Sequence, residues 1–226
     1  PIVPTAHMPP IGLPNLGWWA NPALWWLGRK GLNHFFRDRA NGSRRAAGAA
    51  PLRDVVVDGA RETAKILVTV SPSLCDRPPD WPANVELTGF LSMPPTGEVH
   101  APSAELEAFL AAGAPPVFLT MGSMLAFEAD PAAVVATLAR AASLAGVRAI
   151  VQGTPVALAT QSPVPDVCFT SFVPHAAVFP RCSAVVHHGG AGTTQASLLA
   201  GRPSVVVPHA TDQFYWGDRL TELGVA

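Results

Sequence analysis

The residues best suited to chemistry stand together in one glycine-rich stretch, "AVVHHGGAGTTQASLLAGRPSVVVP", at positions 184–208. Its pattern predicts a strand, a loop, a helix and a second strand. Glycines at 189, 190 and 192 let backbone N–H groups approach a ligand closely, and two threonines follow where the helix is expected to begin. Unpaired N–H groups and the positive end of the helix dipole favour an anion there. The stretch therefore predicts a phosphate-binding loop; the alternative is a tight turn that binds nothing.

The adjacent histidines, His187 and His188, raise the question of a metal site. Neighbouring residues of a strand point to opposite faces, and a zinc ion needs several ligands on one side. The pair is therefore not expected to share a metal, and we predict no metal here. His188, at the edge of the loop, can donate a hydrogen bond to a phosphate oxygen, whereas His187 is interpreted as a packed histidine.

Two more loops follow predicted strands, "MGSM" at 121–124 and "PHATDQ" at 208–213. Ligands of a parallel sheet gather beyond the carboxyl ends of its strands, so these loops are expected to lie beside the glycine-rich loop. "GS" offers a second backbone contact for the same diphosphate. Asp212 is an acceptor and Gln213 both donates and accepts, a combination that suits vicinal sugar hydroxyls. The alternative for Asp212 is a helix N-cap.

Regular alternation of strands and helices begins after the segment "MPPTGEVHAPS" at 93–103, which is typical of a linker. Val- and Ile-rich strands with little polar alternation predict an α/β unit whose parallel sheet is buried on both faces. The strands are expected at 116–121, 148–153, 166–172, 184–187 and 204–208. Helices are expected from Asp130–Pro131 to about Leu144, in one turn around His175–Phe179, from Thr193, and from about Gln213.

The first part of the chain is rich in tryptophan. Asn21 and Pro22 predict the N-cap and first turn of a helix that runs from Ala23 towards Arg39 and ends near "NGS" at 41–43. Two strands are expected at 64–71 and 85–90, with a proline-rich loop between them. The tryptophans form adjacent pairs, which cannot all face inward, so at least one ring should be exposed; they are Trp18, Trp19, Trp25 and Trp26. Near Arg29 and Lys30, such rings suit an apolar acceptor or a membrane interface, and the alternative is core packing.

Composition sets wider limits. The chain has 226 residues, 49% hydrophobic and 14% charged, with a formal net charge of −1, which excludes a disordered chain and argues against a nucleic-acid partner. Its three cysteines show no CxxC spacing and favour a reduced, cytoplasmic setting. No apolar run reaches the roughly 18 residues of a membrane span, and no signal peptide is recognisable. Because the chain starts at Pro1 and stops just past a predicted helix, we expect a fragment of a longer protein.

The motifs "VVHHGGAGTT…GRPSVVVPHATDQFYWGDRL" and "PVFLTMGSM" resemble the nucleotide-sugar-dependent family 1 glycosyltransferases of the GT-B fold. Within these, the chain is most similar to bacterial sterol, macrolide and glycolipid glycosyltransferases, and residues 70–91 resemble the segment before their interdomain linker. The resemblance implies that residues 1–93 are the later part of a Rossmann-like acceptor-binding domain. Residues 94–102 would be the linker, and residues 103–226 most of a Rossmann-like donor-binding domain.

The resemblance also implies which residues hold the donor. The diphosphate would contact Gly122, Ser123, His188, Gly190, Gly192, Thr193 and Thr194. The ring of Phe172 would lie against the nucleobase, the main chain of Val173 would read the base edge, and Asp212 and Gln213 would hold the sugar hydroxyls. Gln195 and Ala196 stand where relatives often carry a ribose-binding glutamate, so no ribose contact is assigned.

The implied reaction is inverting transfer of a hexosyl group from a UDP- or dTDP-sugar to a hydroxyl of a hydrophobic acceptor, without cofactor or metal. The family's general base is a histidine in a glycine-flanked loop. His7 and His34 lack that setting, so the base is expected upstream of Pro1. The alternative is a catalytically incompetent nucleotide-sugar-binding fragment. A Rossmann dehydrogenase is a poorer interpretation because no GxGxxG follows the first strand of the α/β unit.

Overall fold

The computed structural model describes residues 5, 13–62, 64–91, 101–210 and 212–226. The chain divides into two compact units, Pro1–Ser92 and Met93–Ala226. The linker expected at 94–102 lies almost wholly outside the described residues. The roles predicted for the two parts stay predictions.

The first unit consists of α1 (Asn21–Ala46), α2 (Val57–Glu62) and a parallel pair of strands, β1 (Ile66–Val68) and β2 (Val85–Leu87). Its small core includes Trp81 and Val85, against which the two strands pack. Three side chains of α1 bind the segment 52–55: Arg29 forms an ion pair with Asp54, Asn33 accepts from the N–H of Val55, and Asn41 bonds both backbone groups of Leu52.

The predicted ends of α1 are wrong at both sides. The N-cap is Ala20, with no side-chain cap, and the Asn21 carboxamide instead accepts from the N–H of Leu16 and donates to Asn15. The helix also continues through "NGS" to Ala46. The side-chain amide of Asn41 is buried and forms hydrogen bonds with the backbone of Leu52, so it does not end the helix. Hydrogen bonds with residues outside the helix thus override the local start signal at Asn21 and the local stop signal at Asn41.

Each of the two adjacent tryptophan pairs has at least one exposed ring. Trp25 is buried, whereas Trp18, Trp19 and Trp26 are 71%, 74% and 57% exposed, so the prediction of at least one exposed ring is confirmed. The ammonium of Lys30 lies 3.9 Å from the centre of the Trp26 ring. Along the described stretches of the chain, no helix combines the length and the hydropathy needed to cross a bilayer.

The second unit is built on a five-stranded parallel sheet, which confirms the predicted α/β class. The strand order is β5-β4-β3-β6-β7. The strands are β3 (Val117–Thr120), β4 (Ala149–Gln152), β5 (Val167–Thr170), β6 (Ala184–His187) and β7 (Ser204–Val206). The helices are α3 (Ala104–Ala111), α4 (Pro131–Leu144), α5 (Pro155–Leu158), α6 (His175–Val178), α7 (Ala191–Leu199) and α8 (Asp212–Glu222), with 3₁₀ turns at Gly122–Phe127 and Phe179–Arg181.

Both faces of this sheet are covered, because successive strand residues alternate between them. Phe118, Ile150 and Val185 pack in one layer with Leu106 of α3, and the other layer joins Leu119 and Val151 to the apolar stripe of α4. Strand β6 has its predicted bounds, and the other four strands are shorter than predicted by one or two residues at an end, as in β7, which stops at Val206. Helix α7 begins at Ala191, ahead of the predicted Thr193.

The strand order places a topological switch between β3 and β6. From β3 the chain proceeds to β4 and β5 on one side, then returns to β6 and β7 on the other. The loops that follow β3 and β6 therefore diverge at the same edge of the sheet and leave a crevice between them. The paired residues Thr120 and His187 end the two strands at this point.

Candidate functional site

The loops after β3 and β6 meet around the ring of His188. A Cβ added to Gly122 would lie 2.6 Å from Cε1 of this ring, and one added to Gly190 would lie 2.3 Å from its Nε2. Both distances are shorter than any side chain tolerates, so only glycine fits beside the imidazole at these two positions. Gly122 also has φ +52°, which glycine adopts most readily. The structure therefore brings together three of the residues predicted to hold the diphosphate.

His188 is buried, and its surroundings shift the pKa of its ring. The residue is 5% exposed, and its Nδ1 is buried with no hydrogen-bond partner among the described residues. Burial, together with the charge of His209, lowers the pKa of His188, while Asp212 acts in the opposite direction. A buried polar nitrogen without a partner costs about 1–3 kcal/mol, which a bound acceptor or donor would remove. An anion placed here would also raise the pKa of the ring.

Helix α7 begins beside this ring without a side-chain cap. Its N-cap is Gly190, whereas the N-terminal N–H groups of α3, α4 and α5 are bonded by Ser103, Asp130 and Thr154. A Cβ at Gly192 would meet no atom within 4 Å, so nothing in the protein itself requires glycine there. Free N–H groups, the helix dipole and an open approach at Gly192 are the properties of an anion site.

The threonines of α7 lie inward. Thr193 is 8% exposed and Thr194 is 1% exposed, and the hydroxyl of Thr194 has no hydrogen-bond partner among the described residues. Gly189, with φ +86°, passes close to α8, since a Cβ there would lie 3.0 Å from the carbonyl oxygen of Gln213. The glycine-rich loop therefore also adjoins the third predicted loop.

His187 is the packed histidine of the pair, as predicted. It is 0% exposed, and its Nδ1 accepts a hydrogen bond of 3.0 Å from the N–H of Gly189. Burial, aided by the nearby charges of His188 and His175, lowers the pKa of His187 to about 4. The ring is therefore neutral at pH 7, with Nδ1 as acceptor, and holds the loop in its left-handed turn.

The third loop differs in detail from its prediction. Asp212 is the first residue of α8, and its carboxylate accepts a hydrogen bond from Nε1 of Trp216 at 3.2 Å. Gln213 is 5% exposed, and its side-chain oxygen accepts from the N–H groups of His209 and Ala210 at 2.8 and 3.0 Å. That oxygen shapes the turn, so a contact of Gln213 with sugar hydroxyls stays a prediction.

The segment after β5 presents one ring and hides the next side chain. Phe172 is 69% exposed, whereas Val173 is 2% exposed and packs in the core with Phe118. The side chain of Val173 is therefore not available to a ligand, and the contact of its main chain with the nucleobase stays a prediction. Ser123 is exposed in the turn after Gly122.

Four polar residues around these loops were missed in the sequence. Thr120 ends β3 and Gln152 ends β4, and their side chains are joined by a hydrogen bond of 2.7 Å. His209 lies 3.9 Å from the carboxylate of Glu128, which links the loops after β3 and β7. A polar residue at the carboxyl end of a buried strand was the signal available for Thr120 and Gln152. Among the described residues, no three His, Cys, Asp or Glu side chains are grouped as metal ligands.

Comparison with known proteins finds clear relatives. Residues 137–226 match the family described as Erythromycin biosynthesis protein CIII-like, C-terminal domain. Sterol 3-beta-glucosyltransferase UGT80B1 of Arabidopsis thaliana is 39% identical over 160 residues, which are 69% of this chain and 25% of that protein. Glycosyltransferase GtfC of Amycolatopsis orientalis is 35% identical over 205 residues, which are 91% of this chain and 48% of that protein.

One solved structure of similar fold contains a nucleoside diphosphate. Spinosyn rhamnosyltransferase SpnG complexed with thymidine diphosphate matches with a TM-score of 0.53 and 28% identity, over 71% of this chain and 41% of SpnG. The chain spans less than half the length of each of these proteins.

Proposed function

We propose that the chain is part of a GT-B glycosyltransferase, because residues 137–226 match the Erythromycin biosynthesis protein CIII-like C-terminal domain and glycosyltransferases are among its relatives. Its second unit would bind the nucleoside diphosphate of a UDP- or dTDP-sugar. The observation that carries this proposal is the enclosure of the His188 ring between Gly122 and Gly190 at the uncapped start of α7. In the complete protein, the bound donor transfers its hexosyl group to a hydroxyl of a hydrophobic natural product.

The diphosphate is the leaving group, and its negative charge grows as the anomeric carbon–oxygen bond breaks. Its oxygens accept hydrogen bonds from the first-turn N–H groups of α7 and from the ring of His188. The helix dipole adds a fixed positive potential that costs no reorganisation during the reaction. These groups supply the electrostatic stabilisation of the leaving group from the chain's own residues.

The base and the sugar occupy the flanking loops. The exposed ring of Phe172 stacks on the nucleobase, and the main chain of Val173 bonds the base edge. At the other end, Asp212 accepts from hydroxyls of the transferred sugar, since its carboxylate lies at the start of α8 next to the glycine-rich loop. Base, diphosphate and sugar thus lie in a row across the carboxyl edge of the sheet.

Transfer inverts the anomeric configuration, because the acceptor oxygen attacks opposite the leaving diphosphate while a general base takes its proton. No described histidine is assigned as that base. His34 is exposed on α1, and its ring packs edge-to-face against Phe35. In a second candidate function, the chain by itself binds the donor without turnover.

The acceptor is hydrophobic. Trp18, Trp19 and Trp26 expose more than half of their surface, and a basic residue, Lys30, lies against one of the rings. The same rings suit a peripheral contact with a membrane that holds the acceptor. Names of relatives point the same way, since one is a sterol 3-beta-glucosyltransferase.

Calorimetry and a transfer assay test the proposal together. The 226-residue chain is titrated with thymidine diphosphate and uridine diphosphate, and product formation is followed with dTDP- and UDP-sugars and a panel of sterols, macrolide aglycones and simple sugars. We expect binding of at least one diphosphate, weakened in His188→Ala and unchanged in the exposed control His34→Ala. Binding without transfer identifies the second candidate, and no binding of either diphosphate refutes the proposal.

A further inference from the structure

A chain of hydrogen bonds joins the carboxyl ends of three neighbouring strands. The N–H of Gly122 donates to the hydroxyl of Thr120 at 2.9 Å, and this hydroxyl donates to the side-chain oxygen of Gln152 at 2.7 Å. The amide nitrogen of Gln152 then donates to the carbonyl oxygen of Ser171 at 3.1 Å. The chain starts at the turn after β3, passes the end of β4 and reaches the segment after β5.

These hydrogen bonds can all form in only one orientation of the Gln152 side-chain amide. If the Gln152 amide were rotated by half a turn, its oxygen would face the carbonyl oxygen of Ser171, and both are acceptors. Thr120 is 1% exposed, so its hydroxyl has no access to solvent as an alternative. The arrangement is therefore set by the hydrogen bonds themselves and fixes Gln152 in one rotamer.

The two ends of the chain are the two parts of the proposed donor site. Gly122 lies against His188 at the diphosphate, and Ser171 precedes Phe172 at the nucleobase. These ends lie two strand spacings apart, about 10 Å. Because base and diphosphate belong to one molecule, the donor is held tightly only if the two loops keep a fixed separation.

Resting on the proposed function, we infer that Thr120 and Gln152 are positioning residues that fix the separation between the base-binding and diphosphate-binding loops. Neither side chain needs to touch the donor for this role. The hydrogen bond between Thr120 and Gln152 is called the tie below. Without the tie, each loop can still hold its own part of the ligand, but the two loops no longer keep the separation that the whole ligand needs. The cost then falls on ligands that span the two loops.

Thr120→Val and Gln152→Met remove the tie at either end while keeping side-chain volume nearly constant. Thr137→Val and Gln161→Met are matched controls, because these side chains bond backbone oxygens outside the donor loops, those of Ala133, Ala132 and Ala157. Each variant is titrated with thymidine diphosphate, thymidine alone and pyrophosphate alone, and its thermal unfolding is recorded.

We expect both tie variants to bind thymidine diphosphate roughly tenfold more weakly, as the loss of one effective hydrogen bond predicts. Binding of thymidine and of pyrophosphate should stay within twofold of the wild type, and both controls should match the wild type for all three ligands. The double variant should be no weaker than the weaker single one, because both changes break the same chain.

Several results overturn the inference. They are unchanged diphosphate binding in both tie variants, or equal losses for all three ligands with a lowered unfolding temperature, which would indicate a merely structural role. If Thr120→Val does not fold, Gln152→Met decides alone, since Gln152 is only partly buried at its strand end. Failure of the wild-type chain to bind the diphosphate would overturn the proposed function as well, whereas binding that the variants leave intact would overturn the inference alone.

Discussion

Replacement of Gly190 by alanine isolates the contact on which the proposed donor site depends. Gly190 has φ −64° and ψ 139°, an extended conformation that alanine adopts without strain. The added methyl group would nevertheless lie 2.3 Å from Nε2 and 2.9 Å from Cε1 of His188. The only strong effect of Gly190→Ala is therefore on the position of this ring.

The size of the effect follows from the confinement of the ring. A normal carbon–nitrogen contact is about 3.5 Å, so Nε2 must retreat by roughly 1 Å, and Gly122 lies against the same ring. A displacement of that size breaks the hydrogen bond that His188 is proposed to make with the diphosphate. A hydrogen bond to a charged group contributes about 1.5–3 kcal/mol, so the Kd for thymidine diphosphate should rise roughly 10- to 150-fold.

Calorimetric titration of thymidine diphosphate measures this change, with Gly42→Ala as the matched control. A methyl group at Gly42, in the first unit, meets no atom within 4 Å and should leave the Kd unchanged. The decisive comparison is a double-mutant cycle with His188→Ala. Once the ring is absent, the methyl group at position 190 has no clash to make, so Gly190→Ala should add little further loss.

Two results would refute the reasoning. Gly190→Ala could bind the diphosphate as tightly as the wild type, which would remove His188 from the site. Alternatively, its loss could be fully additive with that of His188→Ala, in which case the methyl group obstructs the ligand directly and the ring is not the mediator.

Four further predictions follow from the same residues. Transfer by the complete protein should be unchanged in EDTA, because α7 and His188 stabilise the leaving group; activity lost on chelation and restored by Mg²⁺ contradicts this. Asp212→Ala should weaken binding of the intact sugar nucleotide more than that of the bare diphosphate in paired titrations, and equal losses would make it a structural residue. Between pH 6.5 and pH 4 the unfolded chain binds a proton that folded His187 resists, so acidification should lower the free energy of unfolding by about 3 kcal/mol. His187→Asn, which keeps an acceptor for Gly189, should lose this part of the pH dependence in urea titrations at pH 7 and pH 4.5, while the contribution of His188, whose pKa is also lowered, remains. In acceptor screens, sterols and macrolide aglycones should be glycosylated in preference to simple sugars, and transfer to simple sugars alone would contradict the role given to Trp18 and Trp19.

The α/β sheet of the second unit was predictable because its strands carry their own signal. Short apolar runs with little polar alternation, such as 117–119 and 149–151, favour burial on both faces. The capped start of α4 is also predictable, because Asp130 precedes Pro131. The resemblance to the family 1 glycosyltransferases, read from the loops after these strands, is confirmed by the relatives. The ends of α1 were not predictable, since the cap signal of Asn21 and the turn signal of Asn41 are overridden by hydrogen bonds with the backbone of Leu16 and of Leu52, outside the helix.

In the candidate site too, the sequence pattern does not reveal every constraint on a residue. The motif predicts that glycines at 122 and 190 serve a ligand, and the structure adds that both also make room for one histidine ring. That dual constraint depends on β3 and β6 being neighbours in the sheet, which no local pattern states. Gln213 is the converse case, because its side-chain oxygen looks available for a sugar in the sequence but is already held by the turn at His209 and Ala210.

The strand order explains why the site residues are so scattered along the chain. The switch between β3 and β6 brings Gly122 to His188, and the chain of hydrogen bonds from Gly122 to Ser171 extends the same edge to β5. A donor bound as proposed would meet the base, diphosphate and sugar loops in the order of the strands and not in the order of the sequence. Thr120 and Gln152 belong to no recognised motif, because their hydrogen-bond partners are backbone groups and each other.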